Sequence, residues 1–304
     1  GRGSFMSSLS RDVVTGRVKT HARSAAAPAR LGSPWSPQRS AATPMRHLAL
    51  VLAVLAATLA APSARAGLVP HRAFYELALA GDSGDLVAAE GAYAVEWRAH
   101  CEGMASRQRL WFVGRLPGGG TLDYDVRFST FESRDGRNMR FSMRSYQGDA
   151  LVEEFRGHAR MPAAGGAGRA TYTVPDGVEM RLPPGTVFPK RHVDRLIRRA
   201  EAGDPVATFT LFDGAGVGAD ALSVVTAAIG EPVPLAADAR GERAWPVALA
   251  YHPLAEGSTD TPIFELAFEL ATDGIMREVV LDYGAFALEA NLQRLERLDA
   301  PSCE

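Results

Sequence analysis

The chain has 304 residues, with 33 basic and 35 acidic side chains and a formal charge of −2 at pH 7. Nine of the basic residues but only one acidic residue, Asp12, precede position 67, so residues 67–304 hold 24 basic and 34 acidic groups and a formal charge of −10. That balance argues against a nucleic-acid partner and against an electrostatic grip on anionic lipid.

From the N-terminus, residues 1–44 are rich in Arg, Ser, Ala and Pro without apolar periodicity, and predict a non-native or disordered leader. Translation beginning at Met45 accounts for them most simply; a cytoplasmic extension or a vector-derived leader is the alternative. Met45-Arg46-His47 then runs into an apolar block from Leu48 to Ala61, followed by Pro62-Ser63-Ala64-Arg65-Ala66. A short basic start, an apolar core too short to span a bilayer and small residues at Ala64 and Ala66 predict a signal peptide over 45–66, cleaved after Ala66. Residue 67 is Gly rather than the Cys that acylation would need, and no later apolar run is long enough to span. The expected product, residues 67–304, is a single soluble periplasmic domain with no transmembrane anchor after cleavage.

Period-two alternation governs the rest. Tyr93, Val95, Trp97, Ala99 and Cys101 share one face against Ala92, Glu96, Arg98 and His100, which places Cys101 on an apolar face. Leu122 to Phe128 and Met139 to Met143 repeat the pattern. So do Tyr172 with Val174, Val178 to Leu182, Phe209 with Leu211, Trp245 to Tyr251, Phe264 to Leu270 and Ile275 to Tyr283. Turn signals at Gly118–Gly120, Asp135-Gly136, Gly148-Asp149, Asp176-Gly177 and Asp273-Gly274 separate them. One segment differs. From Pro189 to Ala202, Val193, Leu196, Ile197 and Ala200 fall at helical spacing among Lys190, Arg191, Arg195, Arg198 and Arg199, before Gly203. This amphipathic helix either packs its stripe on the sheet with a solvated basic face, or presents that face to a partner or an anionic head group. The stretch Ala285 to Leu298 fits both periods, and a final strand is expected because it follows the previous strand almost without a gap. About a dozen strands and one helix indicate an all-β sandwich or barrel-like sheet.

Signals of chemistry are sparse. Cys101 and Cys303 are the two cysteines, and an even pair in an exported protein reads as a disulfide; two thiolates without clustered His make a poor zinc shell. The bridge would close a loop of about 200 residues, for which the chain-entropy relation gives on the order of 5 kcal/mol. Gly214, Gly216 and Gly218 follow a strand, but their spacing is not the dinucleotide fingerprint. Hydrolase elbow, Walker and His-Glu-x-x-His signatures are missing. Glu153 and Glu154 adjoin in a strand and point to opposite faces, and His192 and Asp194 are two apart on a helix, so neither pair makes an acid–base site. The chain is expected to have no cofactor, no metal and no catalytic residues.

The run Leu182-Pro183-Pro184-Gly185-Thr186-Val187-Phe188-Pro189, entering the helix His192 to Ile197, with Ala202-Gly203 and Phe212-Asp213-Gly214 beyond it, resembles the EipB-type cell-envelope integrity family of periplasmic proteins. Leu68-Val69-Pro70-His71-Arg72-Ala73 resembles its opening. The resemblance implies a curved antiparallel sheet, an open barrel or β-spiral, wrapping partly around the helix, and a disulfide that can map only onto Cys101 and Cys303. It supplies no active site. The expectation is a non-enzymatic protein that preserves envelope integrity by binding a lipid, a lipoprotein or an envelope protein; a hydrolase acting on an envelope polymer is the alternative. The concave face of such a sheet would collect Trp97, Phe128, Met139, Phe141 and Met143, either as a pocket or as a closed core.

Overall fold

Strand alternation with hairpin turns commits the chain to an antiparallel sheet, and a computed structural model shows one sheet throughout. It describes residues 67–81, 84–163, 165–235, 243–254 and 261–303. The leader and the signal peptide expected over 1–66 lie outside the described residues. The first half comprises β1 (His71–Leu79), β2 (Ala88–His100), β3 (Gly103–Arg115), β4 (Thr121–Ser133), β5 (Asn138–Gln147), β6 (Ala150–Arg160), β7 (Gly168–Val174) and β8 (Asp176–Leu182). Helix α1 (Pro189–Glu201) follows. The second half is β9 (Val206–Phe212), β10 (Leu222–Ile229), β11 (Val233–Pro234), β12 (Arg243–Pro253), β13 (Phe264–Ala271), β14 (Met276–Asp282) and β15 (Ala287–Arg297).

The strand order is β8-β7-β6-β5-β4-β3-β2-β1-β15-β14-β13-β12-β10-β9, with β11 beside β12. The first and last strands therefore pair in the middle, while the two edges, β8 and β9, are neighbours in sequence joined by α1. Within that connection Val187 makes a parallel bridge to Leu211, its N–H donating to Thr210 O at 2.9 Å and its carbonyl accepting from Phe212 N–H at 3.0 Å. The sheet is thus nearly closed, with the helix at its seam, and the exposed edge that an open sheet would leave is short.

Sequence alternation named the strands with clean patterns and passed over β1, β3, β10 and the two-residue β11, while β6 was read only through the adjoining Glu153 and Glu154. The reason is visible in β1 and β3. Phe74 and Trp111 point outward and are 44% and 37% exposed, so apolar residues occupy both faces and blur the period. The ambiguous C-terminal stretch is strand β15, paired with both β1 and β14.

Two clusters make up the interior. The larger draws Tyr75, Trp97, Phe112, Val225, Trp245 and Leu288 together with Leu196, Ile197 and Ala200 of α1; the smaller packs Met139, Phe141 and Tyr172 with Phe188 and Phe212 beside the seam. Gly214 belongs to this packing. Its φ is +84°, and a Cβ there would collide with the Phe141 ring, so a glycine is required by backbone and space together.

Cys101 departs from its expected place. β2 ends at His100, and Cys101 lies exposed in the tight turn to β3 rather than on an apolar face. A turn position lets the thiol reach the chain end, and the disulfide to Cys303 is formed with Cα atoms 5.5 Å apart. The bridge fastens residues 299–303, which follow the last backbone hydrogen bond from Leu298 to Pro70, to the β2–β3 turn. Cys101→Ser or Cys303→Ser should lower the melting temperature by roughly 10 °C. Reductant should lower the parent to the same value and leave the variants unmoved; a parent indifferent to reductant would show that the bridge contributes nothing.

Candidate functional site

Register decides which side chains face the interior. Trp97, Ser106, Thr130 and Phe141 are cross-strand partners in sequence on β2 to β5, and Phe128 pairs with Met143 one row away. Met139 pairs with Glu132 in the row on the other side. All five residues expected on the concave face therefore do share it. Trp97, Met139, Phe141 and Met143 are buried, whereas Phe128 is half-buried. Met139 and Phe141 are sealed beneath Phe188 and Phe212, with ring centroids 5.5 Å apart for Phe141–Phe212. This part of the interior is packed core.

Further along the same face lies a different lining. Tyr251, Phe264, Tyr283, Phe286, Phe112 and Tyr124 form a chain of ring contacts at 5.1–5.8 Å, and Tyr75 stacks on Tyr93 at 5.7 Å. Tyr93, Tyr124, Tyr251, Phe264 and Tyr283 are only half-buried. Yet desolvation pushes the phenols of Tyr93, Tyr251, Tyr283 and Tyr124 above their ordinary value. Rings that are desolvated but keep accessible surface stand on a concave wall. Polar groups in it are few: Tyr93 Oη donates to Gln108 Oε1 at 2.7 Å, and Tyr75 Oη donates to Met276 O at 2.8 Å. Tyr93, Tyr124, Tyr251, Phe264, Tyr283 and Phe286 stood in the sequence patterns, whereas Tyr75 and Phe112 belong to the strands that alternation passed over. Their convergence was not legible there, because it joins β3 and β4 to β12, β13 and the turn between β14 and β15.

The basic side chains of α1 take several roles. Lys190 Nζ pairs with Asp194 Oδ2 at 2.5 Å, Arg191 Nη1 donates to Asp135 O at 2.6 Å, and Arg199 pairs with Asp204 at 2.8 Å. Arg195 and Arg198 have no anionic partner among the described residues. Burial, then Arg191, Arg198 and Arg199, pull the Arg195 guanidinium below its usual value.

Buried acids are individually committed. Asp125 accepts from Arg109 at 3.0 and 2.9 Å and from Arg127 at 3.1 and 2.6 Å. Asp273 accepts from Ile275 N–H at 3.1 Å and Arg297 at 2.7 Å. Glu132, 1% exposed on the inner face of β4, accepts the Lys190 N–H at 2.9 Å and the Arg191 N–H at 3.1 Å. It supplies the cap that α1 lacks, since Phe188 at the N-cap has no side-chain oxygen. Among the described residues no three His, Cys, Asp or Glu side chains cluster as metal ligands.

A one-sheet barrel with a helix at its seam and an aromatic concavity defines a β-barrel-like protein. The chain belongs to the EipB-like family, which it matches over residues 62–299. It is 31% identical over 248 residues to the cell envelope integrity protein EipB of Brucella abortus (strain 2308), spanning 76% of this chain and 85% of that protein. It is also similar to the crystal structure of a β-barrel-like protein of domain of unknown function DUF1849 from Brucella abortus. That match has a TM-score of 0.70 at 29% identity, over 77% of this chain and all of the other.

Two groups at α1 titrate in opposite senses. Burial lifts the Glu132 carboxyl to about 7 against the opposing pull of the Lys190 and Arg191 N–H groups, and burial lowers His192 to about 4. The folded chain holds the Glu132 proton more tightly than the unfolded one, so this contribution favours folding at low pH and is lost as pH rises through about 7. The neutral His192 favours folding above its ordinary 6.5 and loses that contribution as pH falls through about 4. Glu132→Gln removes the first effect alone. Its melting temperature relative to the parent should therefore rise between about pH 5 and pH 8. An offset constant with pH would mean that Glu132 titrates normally.

Proposed function

We propose that this chain is a non-enzymatic periplasmic protein that maintains cell envelope integrity, and that its aromatic concavity holds the acyl chain of a lipid or lipoprotein. The half-buried run from Tyr251 through Tyr283 to Tyr124 is the observation that carries the reading. Such a wall offers apolar area and a few hydroxyls to an acyl chain. The name of the Brucella abortus relative supports the envelope role. The commitment of Asp125, Glu132 and Asp273 to arginines and backbone N–H groups favours binding over hydrolysis of an envelope polymer. Among the described residues no helix is long and apolar enough to cross a membrane.

Native mass spectrometry of the chain purified from a Gram-negative periplasm tests this. A retained lipid or acyl-peptide mass is expected, and it should diminish in a Tyr124→Ala/Tyr283→Ala variant while Arg198→Gln keeps it. A clean apo mass for a folded parent would overturn acyl binding and leave protein docking as the envelope role.

A further inference from the structure

The negative total charge conceals one outward-facing groove of opposite character. At the ends of β4 to β8 a groove of about 1370 Å³ is lined by Arg137, Arg140, Arg160, Arg169 and Arg181 against two carboxylates, Glu102 and Glu179. Register puts Asn138, Arg160, Arg169 and Arg181 in one row across β5, β6, β7 and β8. Adjacent strands lie about 4.8 Å apart, so three guanidinium groups stand side by side, an arrangement that is destabilising unless anions answer it. The intramolecular answers are incomplete. Arg169 pairs with Glu179, Arg137 pairs with Asp135 at 2.7 Å, and Arg140 lies 4.9 Å over the Phe131 ring. Arg160 and Arg181, both exposed and flanking Arg169, have no anionic partner among the described residues. His158 faces outward one row away, opposite Arg140.

We infer that this groove binds the phosphate of an anionic lipid headgroup, with Arg160 and Arg181 as its ligands. Arg160 on β6 and Arg181 on β8 stand on either side of β7, and their long side chains let two guanidinium forks reach the oxygens of one phosphate diester between them. Pro162, Ala163 and Ala167 line the same groove, so an amphiphile finds apolar contact beside the charge. A concavity of this size fits a discrete headgroup, and its apolar lining beside the arginines distinguishes it from the basic face of α1. The inference is independent of what fills the aromatic interior.

Calorimetric titration with short-chain phosphatidylglycerol below its critical micelle concentration tests it, with the zwitterionic phosphatidylcholine analogue, inorganic phosphate and polyglutamate as comparisons. Phosphatidylglycerol should bind best, with an affinity that falls as salt rises. Arg160→Gln/Arg181→Gln should weaken it roughly tenfold or more, since two charge-assisted contacts are lost. Both positions are exposed, and an unchanged melting temperature would confirm the variant is folded. Arg198→Gln should bind as the parent does, and Tyr124→Ala/Tyr283→Ala should keep the parent's preference for phosphatidylglycerol over phosphatidylcholine, which separates this groove from the helix face and from the interior. Inorganic phosphate binding as tightly as the lipid would overturn the headgroup assignment, and preference for polyglutamate would replace it with an acidic protein partner. No binding by the folded parent, or an unchanged affinity in the double variant, would overturn the site altogether.

Discussion

The contact on which the arrangement depends is the buried carboxylate of Glu132 against the first N–H groups of α1. A helix begins with donors that have no partner within it, and α1 begins with Phe188 and Pro189, which supply no capping oxygen. The missing acceptor comes from a strand more than fifty residues earlier. The arrangement puts a desolvated acid next to the positive end of a helix, so each element satisfies a group that the other would leave buried and unpaired. Because α1 joins the two edge strands, the same contact sets where the helix sits in the seam and how the sheet closes.

Closure then divides the inner face into two environments. Beside the seam, Phe188 and Phe212 cover Phe141 and Met139, and the glycine at 214 lets backbone approach the Phe141 ring. Leu196, Ile197 and Ala200 fill the space between α1 and the strands. A helix of thirteen residues covers only part of a sheet with fourteen strands on its path. The aromatic run on β12, β13, the turn between β14 and β15, and on β3 and β4 consists of the rings left with accessible surface. Packed core and concave wall are therefore successive parts of one surface.

Outer faces differ as well. Arg109 and Arg127 converge on Asp125, and Arg144 and Arg156 converge on Glu154, at 2.9 Å each. The row at the ends of β6 to β8 holds three arginines, and the one carboxylate paired to it, Glu179, comes from the next row. Net charge averages over this difference. The expectation that an acidic chain has no electrostatic grip on anionic lipid follows from the average, whereas a headgroup would meet only the local row.

The sequence by itself determined the fold class, most of the strands, the helix over 189–201 and the cysteine pairing. Each follows from local chemistry: alternation of period two, an apolar stripe at helical spacing, and two cysteines in the whole chain. Tyr93, Val95 and Trp97 share a face for any partner strand, so their inward orientation was also legible. Tertiary structure alone decided the rest. It placed Cys101 in a turn, buried Phe141 under residues 47 and 71 positions away, and brought Tyr124 to Phe112, Phe286 and Tyr283. It also aligned Arg160, Arg169 and Arg181, which carry no motif along the chain. Those relations depend on register and on which edges meet, and register is set by hairpin turns, bulges and the β1–β15 pairing rather than by any residue's own preference.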